Sequence, residues 1–317
     1  MVEIESHKKT QQSLAVANLY YKANMSQEEI AKKLAISRPT VSRLLQYAKE
    51  IGIVRIEIVD PYASAQALET LIQQKYDLPE VHVVYTDVSD YQQTIVQLGQ
   101  YAADYLTSIV KDNDLIGVSW GKTLNQVALA LKEQTAQNVN IIELKGSVTY
   151  TPTPVYAEEV LMKFGTAFHT APHVLPLPVV FGNQTTHDVV MEDRHIRRMI
   201  EMGKQANIAI YTVGTVRDEA LLFQTGYFNK EEQAVLQQKA VGDICSRFYN
   251  TSGQVTCAAI DQRTVGIQLA DLKTKEHSIL VAGGQQKIAA IKGALAGHYA
   301  NCLIIDVHTA QALIAPD

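Results

Sequence analysis

The chain has 317 residues, 47% hydrophobic and 19% charged, with no Pro- or Gln-rich tract; this excludes a disordered protein and, at this length, predicts two folded units. No apolar run reaches the roughly 18 residues of a membrane span, and the start, MVEIESHKKTQQ, has no signal-peptide core, so a cytoplasmic protein without membrane partners is expected. The net charge is −5, yet residues 1–60 hold nine Lys/Arg against seven Asp/Glu, leaving +2 there and −7 beyond; an acidic whole does not exclude DNA, because a local basic face decides.

Residues 13–21, SLAVANLYY, carry apolar side chains at helical spacing. Ser26 followed by Glu29 reads as a capping box opening a second helix, QEEIAKKL, that buries Ile30, Ala31 and Leu34. After a short break, Ser37 caps a third helix with Pro39 in its first turn, Val41, Leu44 and Leu45 on its buried face, and Gly52 beyond its end. Two short helices joined by a tight turn predict a helix-turn-helix. The segment IVRIEIV alternates like a half-buried strand and could form one arm of a wing before Asp60-Pro61 stops it.

From about residue 65 the pattern changes. Helices are expected over 65–76, 91–110, 123–133, 230–239 and 286–296, and apolar strands over 81–85, 115–120, 140–144, 208–214, 278–284 and 302–307. Apolar strands separated by helices predict a mostly parallel sheet covered on both faces, with shorter strands inserted over 245–270. The expected organisation is α/β: an all-α, winged-helix-like unit over 1–60 for DNA and a larger unit over 61–317 for effector binding and oligomerisation.

On the third helix, Ser37, Arg38, Thr40, Ser42, Arg43 and Gln46 form a polar face. In a helix-turn-helix this helix enters the major groove, so Arg38, Arg43 and Gln46 could read bases while Thr40 and Ser42 hold phosphates.

Two loops follow strands and precede helices. In the first, Ser119, Gly121, Lys122 and Thr123 surround a strand-to-helix turn whose free N–H groups and side-chain donors suit a phosphate. In the second, Gly283, Gly284 and Lys287 hold the same position. In open α/β sheets ligands bind at the carboxyl ends of strands, so both loops could converge on one anion; neither has the spacing of a Walker loop or a dinucleotide fingerprint. Lys145, followed by Gly146, stands at the mouth of the strand NIIEL. It is either an ordinary surface lysine or an amine whose pKa desolvation lowers, which makes it nucleophilic toward an aldehyde; pairing with Glu143 would weaken the nucleophile. Thr212, Gly214, Thr215, Asp218, Gln224, Tyr227 and Asp243 lie near strand ends, where each could contact sugar hydroxyls or satisfy a turn.

Cys245, Cys257 and Cys302 are far apart and read as core thiols, not a disulfide framework. The histidines are scattered, His195 on an exposed helix, and with no HExxH motif neither a metal nor a cofactor is expected.

SQEEIAKKLAISRPTVSRLLQYAKE followed by IGVSWGKTL, GTVRDEALL, GDICSRF and ILVAGG resembles the SorC family of bacterial sugar-responsive regulators, and within it the regulators of deoxyribonucleoside catabolism. The resemblance implies a repressor that is not an enzyme, an effector unit related to glucosamine-6-phosphate deaminases and phosphosugar isomerases, and dimers or tetramers on double-stranded operator DNA. It further implies relief of repression by deoxyribose-5-phosphate. The motif ELKG puts the Schiff-base role on Lys145, and the phosphate falls on Gly121, Lys122, Thr123, Gly283, Gly284 and Lys287. Ser147 stands where a second glycine is usual. The rivals are a regulator that binds another phosphosugar without covalency, and an isomerase or lysine-dependent aldolase, for which no acid–base pair is visible beside Lys145.

Overall fold

The computed structural model describes residues 2–54, 61–86, 90–149, 151, 152 and 154–315. It divides into two compact units, Met1–Asp60 and Pro61–Asp317. The first contains α1 (Val2–Ala17), which continues through a π-helical turn to Lys22, then α2 (Gln27–Leu34) and α3 (Arg38–Glu50). The capping box is in place: Ser26 Oγ accepts from the Glu29 N–H at 3.3 Å, and Glu29 Oε2 accepts from the Ser26 N–H at 2.8 Å. Ser37 caps α3 in the same way through the Thr40 N–H, and Ala35, in the left-handed region at φ 51°, makes the turn between them. Val16, Ile30, Val41, Leu44 and Leu45 form the core. Leu34 does not join it and is 37% exposed, because the turn begins at Ala35 and leaves that side of α2 uncovered. The expected wing strand extends over residues 55–59, which lie outside the described residues.

The second unit runs, in chain order, α4 (Pro61–Tyr76), β1 (Glu80–Val84), α5 (Tyr91–Ile109), β2 (Leu115–Val118), α6 (Lys122–Ala130), β3 (Asn140–Glu143), α7 (Ala157–Ala167), α8 (Gln184–Met191), α9 (Arg194–Gln205), β4 (Ile208–Tyr211) and β5 (Val213–Gly214). There follow α10 (Leu221–Gln224), α11 (Lys230–Lys239), β6 (Gly242–Ile244), β7 (Arg247–Tyr249), α12 (Ala258–Asp261), α13 (Leu269–Leu272), β8 (His277–Val281), α14 (Ile288–Ala296), β9 (Cys302–Asp306) and α15 (Val307–Ile314). Six strands form a sheet in the order β1-β9-β8-β4-β2-β3, with every pairing parallel. Strands this apolar need cover on both sides. One face packs on α4, α14 and α15 through residues such as Ile72, Ile291 and Leu313. The other packs on α5, α6 and α7 through Leu98, Leu124 and Phe164.

The expected strand over 208–214 is two strands. β4 stays in the large sheet, whereas β5 leaves it to pair antiparallel with β6, which pairs with β7. Helices α7 and α8 fall in a stretch for which no element was expected. Of the three cysteines, Cys245 and Cys302 are buried, but Cys257 is only partly so. Among the described residues no helix is long and apolar enough to cross a membrane.

Candidate functional site

A cavity of about 550 Å³ opens at the carboxyl ends of β2 and β4. Its wall includes Ser119, Gly121, Lys122 and Thr123 from the turn between β2 and α6, Thr212, Gly214 and Thr215 beyond β4, Asp243 of β6, Lys145 and Lys287. Gly121 has φ 134°, a backbone conformation that side chains rarely adopt, and an added Cβ there would meet nothing. Only glycine turns the chain this sharply, and the first N–H groups of α6 receive no side-chain cap. Lys287 reaches in from the turn before α14, is 7% exposed, and places Nζ at 3.0 Å from Thr212 Oγ1 and 3.3 Å from Thr123 Oγ1. The buried Lys287 side chain, two hydroxyls and the uncapped N–H groups of α6 give this end of the cavity a donor set that suits an anion.

At the other end Lys145 is 5% exposed. Its Nζ lies 3.5 Å from the centre of the Trp120 ring and 3.3 Å from Ser246 Oγ. Trp120 is fixed in turn by its indole N–H, which donates to the Gly146 carbonyl at 3.0 Å. Burial pushes the Lys145 amine down from the usual lysine range, against the pull of the neighbouring Asp243, Cys245 and Glu143. Asp243 moves the other way: burial raises its pKa, opposed by Lys145 and by the Ser246 N–H, which donates to Oδ2 at 3.0 Å. The expected pairing of Glu143 with Lys145 is not made. Glu143 Oε2 instead accepts from the Leu175 N–H at 2.8 Å.

The geometry at Lys145 depends on the β6–β7 hairpin. Cys245 and Ser246 form its two-residue turn, both in the left-handed region at φ 49° and 65°. Such a turn normally takes Asn-Gly, and two side-chain-bearing residues there cost about 1 kcal/mol each. The strain is held by Arg247, 2% exposed, whose guanidinium donates to the carbonyls of Ile267, Thr264, Gly266 and Asp261 and pairs with the Asp261 carboxylate at 2.7 Å. Gly266 also forms a β-bridge to Lys145, so one buried arginine ties the hairpin to the lysine's own backbone.

Six residues expected at the site are not among those lining the cavity. The Gly284 N–H is committed to Asp306 Oδ2 at 3.0 Å and Thr309 Oγ1 at 2.8 Å, which turns Gly283 and Gly284 toward α15. Gly146 is packed against the Leu177 and Pro178 carbonyls, and Gln224 donates to the Glu219 carbonyl on α10's outer side. Asp218 and Tyr227 also lie elsewhere, bonded to Gln237 and Val148. Tyr91, Arg217, Glu219 and Gln286 line the cavity although nothing in their spacing marked them. Gly214 does so for a readable reason: the Asp243 carboxylate lies where its Cβ would be, at 2.0 Å.

In the first unit, Ser37, Arg38, Ser42, Arg43 and Gln46 are exposed on α3 and Thr40 is half-buried. Thr40 Oγ1 is hydrogen-bonded to Ser37 Oγ at 2.8 Å and Gln46 to Glu50 at 3.2 Å. Arg38 and Arg43 therefore supply the positive charge of this face.

Residues 60–315 match the Sugar-bind family model, which describes a sugar-binding domain. The chain is 52% identical over 306 residues to the deoxyribonucleoside regulator of Bacillus subtilis strain 168, covering 96% of this chain and 98% of that protein. It is 28% identical to the sorbitol operon regulator of Klebsiella pneumoniae over 94% of this chain and 96% of that one. The crystal structure of full-length SorC from Klebsiella pneumoniae superposes with a TM-score of 0.72 at 27% identity, covering 97% of this chain and 100% of that one. With the family model matched across the whole second unit and likeness to named regulators along nearly all of its length, the chain belongs to the SorC family of transcriptional regulators and is not an enzyme.

Proposed function

We propose that the chain represses genes of deoxyribonucleoside catabolism and is released from its operator by deoxyribose-5-phosphate, held in the second unit as a Schiff base on Lys145. The observation that carries this reading is the burial of Lys145 in the cavity wall with its amine shifted toward the neutral form. The 52% identity to a protein named deoxyribonucleoside regulator supports the same substrate class.

The neutral amine adds to the aldehyde carbon of the open-chain sugar. Loss of water from the carbinolamine then forms the protonated imine, with Asp243, whose pKa burial raises, placed to give its proton to the departing hydroxyl and to stay beside the imine as a carboxylate. The phosphate takes the other end of the cavity, on the N–H groups at the start of α6, Lys122, Thr123 and Lys287. Thr212, Gly214 and Thr215 face the sugar between the two ends. Of the second loop only Lys287 reaches the phosphate, since the Gly284 N–H is already bonded to Asp306 and Thr309. In the first unit, Arg38, Arg43 and Gln46 read base edges, and Ser37, Thr40 and Ser42 hold phosphates. A homodimer or homotetramer would match a palindromic operator, because two-fold protein symmetry presents two recognition helices to two half-sites.

Reduction with borohydride in the presence of deoxyribose-5-phosphate tests the covalent step. A mass increase equal to the reduced sugar phosphate is expected on the peptide holding Lys145, and none in Lys145→Met. If the sugar phosphate changes the fluorescence of Trp120, the chain's single tryptophan, but no adduct forms, the effector binds without a covalent bond and the Schiff base is wrong.

A further inference from the structure

A second cluster lies at the opposite edge of the large sheet. Glu80 opens β1 and Cys302 opens β9, and the two strands run parallel with Glu80 opposite Cys302 and His82 opposite Ile304. Residues two apart on a strand share a face, so Glu80, His82 and Cys302 project together toward α5. All strands of the sheet are parallel, so this is the amino end, whereas the effector cavity occupies the carboxyl end. The Glu80 and His82 donor atoms and Cys302 Sγ lie within 4.8 Å of one another.

We propose that Glu80, His82 and Cys302 bind a divalent transition metal of the zinc class, with solvent completing the coordination. An imidazole, a thiolate and a carboxylate are the donor set that zinc takes, whereas magnesium and calcium sites are built from oxygen. The outer groups are already placed. Tyr101 Oη is 2.9 Å from His82 Nδ1, and Tyr105 Oη donates to Glu80 Oε2 at 2.6 Å. Tyr101 thus holds the nitrogen that a metal would not use, which is how ligating side chains are oriented elsewhere, while Tyr105 holds the spare Glu80 oxygen and also bonds Cys302, a contact that the metal displaces.

The inner atoms face each other, with His82 Nε2 at 2.9 Å from Glu80 Oε1. The metal takes the place of that hydrogen bond, the imidazole keeps its N–H on Nδ1 toward Tyr101 Oη, and the Cys302 thiol gives up its proton to solvent as it binds. A tetrahedral zinc ion with bonds of about 2.0 to 2.3 Å spaces its donors by roughly 3.5 Å, so the cluster must open slightly at the His–Glu pair and close elsewhere. Glu80 and His82, with side chains 41% and 20% exposed, have room to do this and leave an entry path from solvent. The site escapes sequence inspection because its ligands come from strands near the two ends of the unit.

Full-length protein stripped with chelator should bind one equivalent of Zn²⁺ per chain in calorimetry, with a dissociation constant below about 10 µM. Co²⁺ in its place should give a thiolate-to-metal charge-transfer band. That band should persist in Cys257→Ser, where the one partly exposed thiol is removed, and vanish in Cys302→Ser. Glu80→Gln, at a half-exposed position that leaves the core untouched, should weaken Zn²⁺ at least tenfold with an unchanged far-UV spectrum. Binding weaker than about 100 µM, a cobalt spectrum without the thiolate band, or a band lost in Cys257→Ser and kept in Cys302→Ser would each overturn the assignment. Trapping of the sugar phosphate on Lys145 is read separately, so failure of one site does not touch the other.

Discussion

Lys145 and Glu143 stand two positions apart, and burial moves their protons so that both tend toward neutrality. The carboxyl of Glu143 is pushed up to about 7, first by burial and against the Leu175 N–H, Ser147 and Lys145. Its Oε1 has no hydrogen-bond partner among the described residues, which disfavours the charged form further. In the unfolded chain this group ionises near its ordinary value of 4.5. Between those values the folded protein holds a proton that the unfolded chain has lost, so stability is full below about 4.5 and falls as pH rises to about 7. A shift of this size corresponds to about 3 kcal/mol. Glu143→Gln, a neutral copy of the protonated side chain, should flatten that part of the profile: denaturant midpoints at pH 5 and pH 8 should lie closer together than in the parent. Equal pH dependence in both proteins would show that Glu143 is ionised throughout. Ser246→Ala is a second test at this scale. It removes the hydroxyl 3.3 Å from Lys145 Nζ but keeps the N–H that binds Asp243, so the borohydride-trapped adduct should form severalfold more slowly in a folded protein.

At the scale of elements, local chemistry was legible wherever it is local in cause. The capping box of α2 and the Ser37 cap of α3 follow from residue types three positions apart, and β2, β4, β8 and β9 from apolar runs that only a doubly covered strand needs. The β2–α6 turn and Lys145 were visible at strand ends for the same reason. Shorter strands were expected over 245–270, where only β7 lies and α12 follows, and the pairing of the antiparallel insert was not legible, because the departure of β5 from the sheet and its register with β6 depend on contacts distant in sequence. With it went Ser246 and Arg247, which place the lysine, and the use of Gly284 by Asp306, which took the glycines of the second loop, though not Lys287, out of the expected phosphate site. Helix α3 carries the prediction at this scale. Arg43 is exposed on α3, so Arg43→Ala should leave the helical spectrum unchanged. It should weaken operator binding in a mobility-shift assay by about 1 to 3 kcal/mol, the usual loss for one base-reading arginine. Unchanged binding would remove Arg43 from the interface.

For the whole molecule, a regulator needs its ligand to favour one state over another, and tight effector binding alone shifts nothing. If deoxyribose-5-phosphate lowers operator affinity tenfold, the coupling is about 1.4 kcal/mol, and linkage requires the operator to lower effector affinity by the same factor. Trp120 makes the second half of this cycle measurable, since the only tryptophan of the chain packs on the Lys145 amine, the proposed point of attachment of the effector. Its fluorescence, titrated with deoxyribose-5-phosphate before borohydride is added, should report a dissociation constant raised by saturating operator DNA to the same extent that the effector raises the operator's. Lys145→Met should bind operator as the parent does, since it lies in the other unit, while its operator affinity should respond far less to the sugar phosphate. Identical effector titrations with and without operator would mean that the two sites are uncoupled, and that release from DNA requires something other than this ligand.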